Sequence, residues 1–438
     1  MGRWLILLIA GVLILAWALR RDLRYSKAYP GDLRYRIVGA RLVKDGHLPY
    51  LYKWAPGDGL RYYDPDNFDT LKAANITVSP FYLRLLAPIA DLPQSKIIDG
   101  WLVSEYLLLA MMTALGVCWA KTTGQKQTVL AFALLFLLTN AWKLHIAYGQ
   151  TYLWIPALAM LFYACLRRSE RTGSPSAVAH PTNNVWGLAA GALAITLVLI
   201  RPNTIFFFLP FLFLARRYPR SWWIALMLPP LLLAGWTLAS KTERELWWGY
   251  NELVHDYEKW SQNLGPATAD NAPDPHFAHW EGIDKPAADR LSVTATEKIY
   301  TENGNAFVLF RLLFHRQLPP AVWIAAALIL IALATGVFYA RCGPFSTLPL
   351  SQLAIFAFCC YMITDLFSPI YRHQYYTVQW LFPLLLAAAT VTRPQRNWLW
   401  GLTACLLIIA VHLPVLRMQN TIAEYSMMAI LLTLNSRK

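Results

Sequence analysis

Long apolar segments dominate this chain and recur from its first residues to its last. A helix needs about 20 apolar residues to cross the roughly 30 Å hydrocarbon layer of a bilayer. Twelve segments approach that length, at 3–19, 100–120, 128–141, 151–166, 185–200, 204–215, 222–240, 320–340, 348–366, 375–390, 398–416 and 421–434. Because a helix satisfies all its backbone hydrogen bonds internally, the sequence predicts an all-α integral membrane protein.

The number of membrane crossings is predicted to be ten to twelve. The segments 128–141, 204–215 and 421–434 are short, which is typical of broken or re-entrant helices that line a protein cavity. Only 15% of the 438 residues are charged, whereas soluble chains carry about 25%. We therefore expect one polytopic membrane domain over residues 1–438.

Basic residues are distributed unequally between the two sides of the membrane. If all twelve segments cross, the short loops of one side hold Arg3, Lys121, Lys126, Arg167, Arg168, Arg171, Arg216, Arg217, Arg220, Arg341, Arg393, Arg396, Arg437 and Lys438. Those of the other side hold only Lys143, Arg201, Arg372 and Arg417. The positive-inside rule then places the N-terminus in the cytoplasm. The long loops 20–99 and 241–319 are left out of this comparison, because long loops cross largely regardless of charge, and both fall outside.

The formal net charge of +14 would suggest a nucleic-acid partner in a soluble protein. Here much of the excess flanks apolar segments, where Lys and Arg set orientation and meet anionic lipid headgroups. We expect membrane lipids as partners and no nucleic acid. The predicted location is the inner (plasma) membrane, crossed several times.

Two apolar stretches in the long outer loops are too short to cross the membrane. Residues 76–92 in the first loop and 300–316 in the second are predicted as helices lying in the membrane interface. No internal repeat is evident along the chain, which counts against a transporter built from inverted repeats.

Asp32 is the leading candidate for chemistry, because it lies just outside the first apolar segment. A carboxylate there is able to take the proton of an acceptor hydroxyl. Arg201, Arg372 and His373 fall on the same outer face and offer cationic or hydrogen-bonding groups for a phosphate leaving group. Asp32 is equally compatible with a helix N-cap or a turn after Pro30-Gly31.

Several motifs occur in an order that resembles glycosyltransferase family 87, polyprenyl-phosphate-mannose-dependent mannosyltransferase-like enzymes of the GT-C class. These motifs are Gly31-Asp32-Leu33-Arg34-Tyr35, Gly46-His47-Leu48-Pro49-Tyr50, Ser79-Pro80 with Leu85, Pro88 and Leu92-Pro93, Gly149-Gln150, Arg201-Pro202, and Ser368-Pro369 followed by His373. The chain departs from the family in an insertion around 53–75 and in the residues 75–80, which replace a tyrosine-rich element.

The resemblance implies inverting transfer of a hexose, with mannose favoured, from a polyprenyl-phosphate donor to a lipid or glycan acceptor. The reaction would take place on the outer face of the membrane, with no metal and no cofactor beyond the donor substrate. Asp32 would be the general base, and His373 would contact the donor phosphate. The lipid tail is expected to enter between loop 20–99 and the ends of the membrane segments.

Each remaining candidate also has a structural interpretation. Arg201 and His373 are placed to act as interfacial anchors, Arg372 would point away from His373 on a helix, and Gln150 would cap a helix start. Glu105 lies inside an apolar segment, where an ionisable group suggests function but can also reach the interface. Asn203 completes the set of site candidates. Asp64 and Asp66 form an acidic cluster that suits either a cation or a solvated loop.

The rival class is a polytopic secondary transporter or lipid flippase, and a glycolipid-binding membrane protein without catalysis is a third possibility. A transporter predicts short loops and polar groups at mid-membrane. The long outer loops and the scarcity of charges inside the apolar segments favour the enzyme.

Overall fold

The structure, a computed structural model, describes residues 2–27, 30–50, 52, 57, 60–62, 76–169, 181–212, 220–262, 305–314, 316, 318–370, 372–391, 396–410 and 419–435. Within these ranges every regular element is a helix and none is a strand. The predicted all-α fold class is therefore confirmed.

The α-helices follow one another along the whole chain. They are α1 Gly2–Tyr25, α2 Gly31–Lys44, α3 Pro80–Leu86, α4 Gln94–Trp119, α5 Thr123–Leu138, α6 Asn140–Ala147, α7 Trp154–Ser169, α8 Pro181–Ile200, α9 Ile205–Phe208, α10 Arg220–Ala239, α11 Lys241–Gln262, α12 Ala306–Phe314, α13 Pro320–Cys342, α14 Leu350–Leu366, α15 Leu381–Thr390, α16 Arg396–Ala410 and α17 Gln419–Asn435. Tight 3-10 turns include Ala87–Ile89, Pro202–Thr204 and Gln374–Trp380.

Each of the twelve predicted apolar segments contains a helix. Among the described residues, α4 and α13 are long and apolar enough to cross a membrane, and α5 with α6 passes the same test as a pair bent by 59°. The bend falls at Thr139, whose side chain caps α6 by accepting from the backbone N–H of Trp142. Four further apolar helices are shorter, so the predicted ten to twelve crossings stay a prediction.

The first long loop, residues 20–99, contains a helix that the sequence interpretation missed. Asp32 was expected in a loop, as a turn residue or N-cap, but it lies in the first turn of α2 with Pro30 at the N-cap position. The helix forms because Leu33, Ile37, Val38 and Leu42 recur at helical spacing and are all buried. A carboxylate in the first turn is also favoured by the helix dipole.

The two predicted short helices of the long loops are both present. Helix α3 begins at Pro80 and is capped by Ser79, whose hydroxyl accepts from the backbone N–H of Tyr82 at 3.3 Å. Helix α12 lies within the stretch 300–316. Helix α11, at the start of the second loop, was not predicted.

Helices α14 and α15 form the centre of the molecule. Nearly every residue of both is buried, because α14 packs against α9, α13 and α17 while α15 packs against α4, α5 and α7. A helix that is apolar all round needs such enclosure. The described residues of the connection between this central pair, 367–370 and 372–380, form part of the wall of a polar cavity.

Candidate functional site

A cavity of about 780 Å³ lies where distant segments of the chain converge. The cavity is lined by Thr77, α2, residues 150–152, residues 201–206, α11, α13, the end of α14 and the connection that follows it. Six predicted candidates line this one cavity, namely Asp32, Gln150, Arg201, Asn203, Arg372 and His373. Their individual roles stay predictions, but their convergence is a fact of the fold.

Asp32 is half-buried at the start of α2. Its backbone N–H donates to the carbonyl oxygen of Tyr148 at 3.0 Å. The hydroxyl of Tyr375 donates to its Oδ2 at 3.4 Å. The carboxylate is thus tied to chain segments more than a hundred residues away, and it keeps part of its surface in the cavity.

Gly149 explains how α2 is able to lie so close to the segment around residue 148. Its φ is +67°, a left-handed conformation that favours glycine. A Cβ at this position would lie 2.5 Å from Leu33 Cβ and 3.2 Å from the Leu33 backbone nitrogen. Glycine therefore permits the contact that places the first turn of α2, including Asp32, against the cavity.

Arg36 is a site residue that the sequence interpretation missed. It follows Asp32 by four residues, so both side chains lie on one face of α2. Its Nη1 donates to the carbonyl oxygen of Gly149 at 2.9 Å, and its Nη2 donates to Gln150 Oε1 at 2.7 Å. The spacing was visible in the sequence, but it carries meaning only once residues 31–44 are known to be helical.

The guanidinium groups of Arg201 and Arg372 share the carboxylate of Asp365. Arg201 Nη2 pairs with Asp365 Oδ1, and Arg372 Nε donates to Asp365 Oδ2 at 2.6 Å. Arg372 also forms an ion pair with Glu424, with 2.7 Å between Nη1 and Oε2. Buried charges need such partners, because desolvating an isolated ion costs several kcal/mol.

Both arginines remain charged in this setting. Burial alone would lower the pKa of Arg372, but the carboxylates of Glu424 and Asp365 hold it above its ordinary value. Arg201 lies over two aromatic faces, with its guanidinium carbon 4.9 Å from the ring centre of Tyr152 and 5.1 Å from that of Tyr376. This end of the cavity therefore holds two charged guanidinium groups, oriented by their pairing with Asp365 and, for Arg372, with Glu424.

His373 lies beside Arg372 in an extended connection and not on a helix, so the expectation that these neighbours point apart fails. Both line the same cavity. The imidazole stacks on Tyr375 with ring centres 4.9 Å apart. Burial lowers the pKa of His373 to about 4, so near neutral pH the ring is an uncharged hydrogen-bonding group.

Tyrosine rings lie between Asp32 and Arg201. Tyr375, which contacts Asp32, lies 5.7 Å from Tyr152 between ring centres, and Tyr152 lies 3.9 Å from Tyr376. The last two are the rings beneath Arg201. The carboxylate and the cations are thus separated by a small aromatic surface within one cavity.

Asn203 occupies the tight turn Pro202–Thr204 at the edge of the site. Its Nδ2 donates to Thr364 Oγ1 at 3.4 Å, which joins this turn to the end of α14.

Glu105 does not line the cavity. It is fully buried in α4, with its Oε2 2.9 Å from His145 Nε2, and its Oε1 accepts from Trp154 Nε1 at 3.2 Å. Glu105 is thus a buried polar group that joins α4 to α6 and α7, and it does not reach the surface as the structural alternative expected.

Within the part of the chain that the structure describes, no group of three His, Cys, Asp or Glu side chains is placed to hold a metal ion. Asp64 and Asp66 lie outside the described residues.

Comparisons of this chain with known proteins give a distant similarity in structure. No protein-family model and no curated protein matches it. This chain is similar in structure to the solved oligosaccharyltransferase of Archaeoglobus fulgidus in the apo form. The sequence identity is 13% and the TM-score 0.42, and the match covers 98% of this chain. The alignment covers 56% of that protein, so the present chain spans little more than half of its length. The resemblance to glycosyltransferase family 87 stays a prediction.

Proposed function

We propose that this protein is a membrane glycosyltransferase of GT-C type. It transfers a hexose, with mannose as the first sugar to test, from a polyprenyl-phosphate donor to a hydroxyl of a lipid or glycan acceptor outside the membrane. The observation that carries the proposal is the presence in one cavity of the Asp32 carboxylate and the paired guanidinium groups of Arg201 and Arg372.

In the proposed reaction, Asp32 takes the proton of the acceptor hydroxyl as its oxygen attacks the anomeric carbon. The bond between that carbon and the phosphate oxygen breaks, the configuration inverts, and the phosphate leaves with one additional negative charge. Arg201 and Arg372 stabilise that developing charge. Because Asp32 loses its charge as the phosphate gains one, the total charge in the cavity does not change during the reaction.

Neutral His373 suits a hydrogen bond to the donor phosphate. An uncharged imidazole carries one N–H donor and one acceptor nitrogen. This hydrogen bond to the phosphate would supplement the contacts of the two arginines. His373 does not change its protonation state near neutral pH, because burial lowers its pKa to about 4.

An apolar groove next to the cavity suits the isoprenoid chain of such a donor. It has a volume of about 410 Å³ and is lined by Phe206, Leu209, Pro210, Leu212, Ile331, Thr335, Phe345 and Cys360. Phe206 lines the cavity as well, and α13 contributes Ile324 and Leu328 to the cavity and Ile331 to the groove, all on one helical face. We therefore place the isoprenoid chain of the donor along α13, whereas the sequence predicted that it enters beside loop 20–99.

The proposal is tested by reconstituting the protein in liposomes with radiolabelled polyprenyl-phosphate mannose and a membrane lipid extract as acceptor. Asp32→Asn should lower the transfer rate by at least about 100-fold, the usual contribution of a general base. Asp45→Asn is the matched control, because Asp45 is exposed just beyond the other end of α2 and should leave the rate unchanged.

Equal rates for wild type and Asp32→Asn would contradict the assignment of the base. If no polyprenyl-phosphate sugar is transferred at all, the transporter or flippase interpretation takes precedence, and movement of a labelled lipid across the bilayer becomes the measurement.

A further inference from the structure

Gln150 is hydrogen-bonded through its backbone and its side-chain oxygen, but not through its side-chain NH₂ group, among the residues that the structure describes. Its backbone N–H donates to the carbonyl oxygen of His145 at 2.9 Å, and its own carbonyl accepts from Trp101 Nε1 at 3.1 Å. Its Oε1 accepts from Arg36 Nη2 at 2.7 Å. Among the residues that the structure describes, its Nε2 has no hydrogen-bond partner, although Gln150 is only 1% exposed.

The orientation of this amide follows from its neighbour. A guanidinium group only donates hydrogen bonds, so the oxygen of Gln150 must face Arg36 and the NH₂ group must face away from it. Gln150 lines the cavity. A buried donor without a partner is unfavourable and calls for an explanation, and a bound ligand that accepts the hydrogen bond provides one.

The chain around Gln150 reaches from the base to the cations. Two residues before it, the carbonyl oxygen of Tyr148 accepts from the backbone of Asp32 at 3.0 Å. Two residues after it, the ring of Tyr152 lies 4.9 Å beneath the Arg201 guanidinium. In an inverting transfer the sugar lies between the acceptor oxygen and the leaving phosphate. Gln150 is therefore beside the position of the sugar.

We propose that the side-chain amide of Gln150 donates a hydrogen bond to one hydroxyl of the transferred hexose and helps to select the sugar. Arg36 is a positioning residue, because it holds the amide in the required orientation. This inference rests on the proposed function and adds to it a specificity contact. A sugar lacking the hydroxyl would leave the buried amide unpaired, which is the condition under which enzymes discriminate most strongly.

The test uses polyprenyl-phosphate mannose and its 2-, 3-, 4- and 6-deoxy analogues as donors. Wild type should disfavour one analogue in kcat/KM by a factor on the order of 10³ or more. In Gln150→Ala and Gln150→Glu that factor should fall to about 10 or less, because the mannose donor loses the contact while the analogue never had it. Gln150→Glu keeps an oxygen for Arg36 but removes the NH₂ donor.

Gln94→Ala is the matched control. Gln94 is another buried glutamine, and its side-chain amide also has no hydrogen-bond partner in the described part of the chain. It lies at the start of α4 and does not line the cavity. It should keep the full discrimination. The thermal midpoints of all variants show whether each is folded.

A second measurement separates this inference from the proposed function. Equilibrium binding of the same five donors is measured on Asp32→Asn protein, with and without the Gln150 substitutions. If transfer occurs and discrimination survives both substitutions in both measurements, the Gln150 contact is wrong and the transferase stands. If nothing is transferred but selective binding is lost in Gln150→Ala, the contact stands and the transferase does not. If hexose donors are neither transferred nor bound, both are wrong.

Discussion

The charge state of the basic residues Arg372 and His373 depends on the groups that surround each of them. Arg372 is 1% exposed and lies between Asp365 and Glu424, so its charge is balanced before any substrate arrives. His373, the next residue, is kept neutral near pH 7 because desolvation by burial lowers its pKa to about 4. Two adjacent basic residues therefore take opposite electrostatic roles.

At the residue scale, His373 should make the protein sensitive to acid. Burial lowers its pKa from 6.5 to about 4. Between these values the unfolded chain binds a proton that the folded protein does not, so the free energy of unfolding should decrease as the pH falls from about 6.5 to about 4. The contribution is at most about 1.4 kcal/mol per pH unit. Unfolding of wild type and His373→Gln should be followed across this range. The variant should lose less stability, and parallel curves would exclude this role.

Helices α2 and α11 show where the reading of elements from sequence failed. Both contain many charged and polar residues and lack the long apolar segment of a membrane-crossing helix. The hydropathy pattern therefore predicts loop for both. Each contributes one side to the cavity, α2 with Asp32 and α11 with Tyr250. The apolar spacing that predicts α2 is present in the sequence, whereas its approach to Gly149 depends on distant packing.

At the element scale, Gly149→Ala should disturb the junction between α2 and the segment around Tyr148. The added Cβ would meet Leu33 at 2.5 Å, so the first turn of α2 must shift and carry Asp32 with it. A misplacement near 1 Å can lower a catalytic rate by about 100-fold. The measurement is the transfer rate together with the thermal midpoint.

Gly46→Ala is the matched control for this substitution. Gly46 has a φ of +83°, and a Cβ added at this position would meet no described atom within 4 Å. Both substitutions should therefore lose about 1–2 kcal/mol of stability through backbone strain, but only Gly149→Ala should lose transfer. Equal loss of transfer in both would show that the contact with Leu33 is not what places Asp32.

At the scale of the whole molecule, the cavity and the apolar groove lie next to each other. They share Phe206 and follow one face of α13. Much of the rest of α13 is exposed, as Leu333 at 59% illustrates, which suits a helix in contact with lipid. A polar cavity beside an apolar groove is what the proposed amphiphilic donor would require.

Filling the groove should separate binding of the lipid chain from the chemistry. Thr335→Trp should raise the KM for a long-chain donor by at least about tenfold, which corresponds to the loss of two buried CH₂ groups. A donor with two isoprene units should be unaffected. Leu333→Trp, on the exposed side of the same helix, is the control. An equal rise in KM for short and long donors would rule out this path.

The helices of this protein follow from local information in the sequence. Apolar periodicity acts over a few turns, so each of the twelve predicted apolar segments contains a helix among its described residues. The residue types of Asp32, Arg201 and His373 led to the prediction of base and phosphate chemistry, which stays a prediction. Arg36 and Glu424 escaped prediction, because their roles depend on partners far along the chain, such as Gln150 for Arg36.

The site itself is a product of long-range packing. Asp32 and Tyr375 are separated by 343 positions and meet only because α2 docks on Gly149 while the central helices α14 and α15 hold the connection between them. Burial likewise makes His373 neutral near pH 7, and the buried charge of Arg372 is stabilised by the carboxylates of Asp365 and Glu424. Desolvation and pairing of charges depend on the whole folded environment, and no short stretch of sequence contains that environment.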